Sequence, residues 1–96
     1  MAVDIDEGFY KRADAFIDLA NDQCGGAAFE KVSASFMYAS ARFNAWASAT
    51  EFSTDDQMRE AKLNRIAHFV AQYRTMLEEN MDSYIKHFND YMKPAG

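Results

Sequence analysis

The sequence predicts an all-α fold, an antiparallel three-helix bundle with a long C-terminal helix, and three observations carry that expectation. The one proline, Pro94, and the four glycines, Gly8, Gly25, Gly26 and Gly96, leave residues 27 to 93 without either helix breaker. On both sides of the Gly25-Gly26 pair, apolar residues recur at three- and four-residue spacing. From Val32 to Thr50 (VSASFMYASARFNAWASAT), large rings alternate with Ala and Ser, the composition of a helix packed on more than one side.

Helix 1 is expected over about residues 6–23. Asp4 or Asp6 can cap its first N–H groups, and Phe9, Ala13, Phe16, Ile17 and Ala20 share one face. Asp14, Asp18 and Asp22 form an acidic ridge, the usual mark of a solvated side. Gly25 and Gly26 should end the helix, because a left-handed terminal residue costs Gly little.

Helix 2 is expected over about 28–50, with Val32, Phe36, Ala39, Phe43 and Ala47 on one line and Phe29, Met37 and Tyr38 on a second. Two apolar lines argue for a central, enclosed position. Helix 3 starts near residue 54, where Thr54 and Gln57 match a capping box and Asp55 and Asp56 suit the helix dipole. It runs to about residue 92 on a stripe through Met58, Ile66, Phe69, Val70, Tyr73, Met76, Leu77, Met81, Tyr84, Ile85, Phe88 and Tyr91.

Lengths then conflict. At 1.5 Å per residue helix 3 reaches about 57 Å, against about 35 Å and 25 Å for the other two. The part beyond Glu78 would overhang its companions with Tyr84, Ile85, Phe88 and Tyr91 bare, and exposed apolar patches mark interfaces. Either the chain breaks near Asn80 to Ser83, with Asp82 capping a short fourth helix, or a second copy covers the overhang. The unbroken phase of the stripe favours a two-fold homodimer, the commonest oligomer.

The chain has 96 residues, 49% of them apolar, with eight Phe, five Tyr and one Trp, enough for one folded domain over 1–96 but near the size at which a partner subunit helps. The net charge is -5, and acids dilute the bases in every segment, so no nucleic acid partner is expected. No membrane partner is expected either, since Arg42 and Asn44 interrupt the most apolar window. A lone Cys24 and the acidic start MAVDIDEGF point away from disulfides and secretion, which leaves the cytoplasm as the expected location.

Chemistry is sparse. Helical-bundle metal sites need inward carboxylates with Glu-x-x-His repeats, and none occurs; the Glu78, Glu79, Asp82 and His87 to Asp90 groups read as solvated surface. Cys24 has no orienting base beside it, and Gly25-Gly26 lacks the length and Lys of a phosphate loop, so neither catalysis nor a cofactor is expected. Arg42 and Asn44 stand out among the rings of helix 2. A buried Arg42 should meet a carboxylate such as Asp18, Glu78 or Glu79. The rival reading is a small-anion or metal-binding pocket around Arg42 with Asn44, His68 and Tyr73, using the planar guanidinium for two-point contact. Arg59, Lys62 and Arg65 recur every three residues and would suit the acidic ridge of helix 1 or an acidic protein partner.

The segments FYKRADAFIDLANDQ (Phe9 to Gln23), KVSASFMYASARFNAW (Lys31 to Trp46) and QYRTMLEENMDSYIKHF (Gln72 to Phe88) resemble a family of short bacterial proteins classed as a domain of unknown function. That resemblance implies a small bacterial cytoplasmic helical protein and carries no activity, cofactor or catalytic residue. The resulting expectation is a non-enzymatic structural or protein-interaction module acting as a homodimer.

Overall fold

The structure, a computed structural model, describes residues 3–93. Four helices follow in order: α1 (Phe9–Gln23), α2 (Phe29–Ala49), α3 (Asp55–Lys86) and α4 (Phe88–Tyr91). The described residues contain no strand, so the chain is all-α with a long C-terminal helix of 32 residues. They divide into two compact units, residues 3–59 and 60–93.

In the first unit α1 begins later than either aspartate requires. Gly8 occupies the cap position without a side-chain cap, and Asp6 is turned to other work. Its carboxylate accepts two hydrogen bonds from Arg12, at 2.5 and 3.2 Å, and one from the Gly8 N–H at 3.4 Å. The other end also departs from expectation. Neither Gly25 nor Gly26 is left-handed; Cys24 stays right-handed at φ -66°, and the exit tightens through Gly25 N–H to Asp22 O and Gly26 N–H to Gln23 O, both 3.1 Å. Three-residue closures of this kind satisfy the last carbonyls without any positive φ.

α1 and α2 are in contact, and Ala13, Ala20 and Val32 are half-buried. The rings of α2, however, are not enclosed. Phe29, Phe36, Tyr38, Phe43 and Trp46 are all exposed, against the expected central position, and the one buried residue of α2 is Ser48, 5% exposed. Thr50 closes the helix by donating from Oγ1 to Ala47 O at 2.6 Å.

The start signal of α3 forms nearly as read. Gln57 N–H donates to Thr54 Oγ1 at 3.2 Å, and Gln57 Oε1 accepts from Ser53 N–H at 2.9 Å, one residue ahead of the reciprocal bond in a standard capping box. Arg59 pairs with Asp55 and Asp56 in the same turn. From Glu60 onward the second unit is essentially one rod. It passes through Asn80 to Ser83 without a break, because Asn80 Nδ2 bonds back to Met76 O at 2.7 Å and Asp82 caps nothing. The interruption falls at His87, φ -112° and ψ 25°, after which α4 adds a single turn.

Candidate functional site

The C-terminal end of the second unit is built around rings. Four residues after Ser83 the helix loosens at His87, and the extra turn of α4 brings Tyr91 back over the end of α3. The Tyr91 ring meets Tyr84 edge-on at 4.9 Å and lies 5.3 Å from His87, while its hydroxyl is 3.3 Å from Ser83 Oγ. Of the four residues expected at an interface, Tyr84 and Tyr91 thus touch each other. Ile85 and Phe88 stand alongside them, exposed, with Phe88 at 59%.

Upstream, α3 has two distinct long sides. Met58, Ala61, Arg65, His68 and Gln72 are half-buried and follow one another at three- and four-residue steps. Leu63, Ile66, Val70, Tyr73, Leu77 and Tyr84 form a second line, roughly 130° around the helix at 100° per residue. That second line is the more apolar, yet each of its members is between 45% and 78% exposed. An apolar stripe was legible in the sequence, but the stripe drawn there mixed residues from both sides. What it missed is that the half-buried side is the mixed polar one.

The expected ligand group draws on both units. Arg42 and Asn44 belong to the first unit and His68 and Tyr73 to the second. On α2, Arg42 and Asn44 are two residues apart and point about 160° from one another. Arg42 is exposed, so the buried guanidinium requiring a carboxylate does not arise; Asn44 is half-buried. On α3, His68 and Tyr73 diverge by about 140°. His68 is half-buried and packs edge-on against Phe69 at 5.3 Å, and Tyr73 is exposed. An open depression on α3 is lined by Arg74, Leu77, Glu78, Met81 and Asp82. Its one cation is already engaged, since Arg74 Nε donates to Glu78 Oε1 at 2.8 Å.

Among the described residues, no three His, Cys, Asp or Glu side chains gather as a metal site would need. No helix among them is long and apolar enough to cross a membrane. Cys24 is an exposed free thiol. At the start of α1 the hydrogen bonds from Arg12 hold the Asp6 carboxyl below its ordinary range, and the same bonds raise the Arg12 guanidinium above its own.

Comparison with known proteins joins this helical pattern to one family. The family described as "Protein of unknown function (DUF3144)" matches residues 9–85, from the start of α1 to one residue short of the end of α3. The chain belongs to that family. The matched span comprises α1, α2 and nearly all of α3 of this DUF3144 chain, with the His87 interruption and α4 just beyond it. The fold is also that of the protein NB7890A from Shewanella sp, solved by NMR, with a TM-score of 0.78 and 39% identity, over 95% of this chain and 97% of that one. No curated protein matches the chain.

Proposed function

We propose that this DUF3144 protein is a non-enzymatic interaction module of the bacterial cytoplasm that works as a homodimer. The observation carrying the reading is that no hydrophobic residue among those described is buried, while Phe, Tyr, Trp, Leu and Ile side chains stand exposed on every helix of two turns or more. A monomer of this size rarely tolerates contiguous apolar surface beyond a few hundred Å², because such surface is stabilised by leaving water. Tyr84, Ile85, Phe88 and Tyr91 are the residues assigned to the contact between copies. Supporting the address are the resemblance to short bacterial proteins, the Shewanella relative, the unpaired cysteine and the absence of an apolar membrane-length helix among the described residues.

Sedimentation of the purified chain tests this directly. The expected mass is that of two chains at micromolar concentration, and Phe88→Asp should give the mass of one while circular dichroism keeps its helical signal. A clean monomer mass for the unaltered chain rejects the module as a homodimer. In that case the anion reading, centred on Arg42, becomes the one to pursue, by asking whether phosphate raises the melting temperature.

A further inference from the structure

The proposal rests on the homodimer reading and extends it from the C-terminal rings to the whole of α3. Leu63, Ile66, Val70, Tyr73, Leu77, Asn80 and Tyr84 are spaced three and four residues apart without a slip, the heptad rhythm by which one helix seats its side chains between those of another. With Asn80 the exception, each is apolar or aromatic, and all seven are exposed. We infer that this line is an antiparallel coiled-coil seam that takes α3 of a second copy of the chain.

Two features identify the occupant. The first is reach. From Leu63 to Tyr84 the seam runs about 32 Å and continues into the Phe88 and Tyr91 turn, whereas α1, at 15 residues, spans only about 22 Å. α2 is as long as the heptad line but shorter than the line with its continuation. A second α3 is the element that matches it in length and in spacing of knobs and holes.

The second feature is charge, and it sets direction. Over residues 60–74 the bases Lys62, Arg65 and Arg74 outnumber the one acid Glu60, a net +2. Over residues 75–91 the acids Glu78, Glu79, Asp82 and Asp90 outnumber the one base Lys86, a net -3. Parallel pairing would set like beside like at both ends; antiparallel pairing about a two-fold near Thr75 sets each basic half beside the other copy's acidic half. Asn80 is the one amide in the line. In a parallel pair it would face its own copy, but its Nδ2 is already bonded to Met76 O, so it does not need that partner.

Spin-label distances between copies distinguish the directions. In a Cys24→Ser background, chains labelled at Asn64→Cys are mixed with chains labelled at Asp82→Cys, both exposed positions off the seam. The antiparallel seam places label 64 of one chain within about 6 Å, along the axis, of label 82 of the other and separates two 64 labels by about 33 Å; the parallel arrangement gives about 27 Å and near contact. Leu77→Asp should convert the dimer to monomer, and Thr75→Asp, on another side of α3, should leave its mass unchanged. A dimer with adjacent 64 labels overturns the antiparallel seam and leaves the homodimer intact, as does a Leu77→Asp chain that still sediments as a dimer. If Leu77→Asp fails to fold, the label distances alone decide. A monomeric unaltered chain removes both readings together.

Discussion

Asp6 illustrates how one side chain can be diverted from the role its position suggests. It precedes a helix as a capping residue should, yet the guanidinium of Arg12, six residues on, takes both of its oxygens. Gly8 makes room for this, since a Cβ there would lie 2.9 Å from Arg12 Nη1. Gly8→Ala should therefore push the guanidinium aside, and Arg12→Ala should remove it. In either variant the Asp6 carboxyl, followed by NMR through an acid titration, should move back up toward the ordinary aspartate value of about 3.9. The sign for stability follows from the same depression: the pair contributes above the unfolded value, and the contribution is lost as pH falls through the lower folded one. Both side chains are largely in solvent, so the effect on melting should be small, and an unchanged titration of Asp6 would show that the pair does not persist in solution.

At the level of helices, start and stop chemistry was readable only where side chains had no rival partner. Thr54 and Gln57 satisfy the first N–H groups of α3 much as their spacing predicts. Thr54→Ala should cost about 1 kcal/mol, read as a lowered urea midpoint with an unchanged slope. The break in α3 was not readable. Asn80 to Ser83 has turn-prone residues, but Asn80 spends its amide on the preceding turn and the helix holds for three more residues beyond Ser83, to Lys86, before His87 interrupts it. Likewise the two glycines promised positive φ and the chain closed α1 with ordinary right-handed geometry. The apolar line proposed as a seam was partly visible as a stripe, because period alone reports which residues share a side; which side is covered depends on contacts far apart in sequence, and period says nothing about those. Arg42 and Asn44 drew attention through polarity among rings, yet their spacing on α2 sends them to different sides.

For the molecule as a whole, no hydrophobic residue among those described is buried, so the proposed homodimer would make association and folding one equilibrium. Melting temperature should therefore climb as protein concentration is raised, for example across a hundredfold dilution series followed by circular dichroism. A melting temperature independent of concentration would place the stabilising contacts within a single chain. Phe88→Asp belongs to the same test: it should flatten that dependence and lower the midpoint, since it adds a charge to the aromatic end where α4 meets α3.

Trp46 gives the molecule a built-in optical gauge. It is the one indole in the chain, 62% exposed, with the Phe43 ring 5.5 Å away. Its emission reads the wetness of α2. Pairing confined to the α3 seam should leave the colour of that light unchanged on dilution, whereas pairing that also enlists the rings of α2 should shift it toward the blue as copies come together.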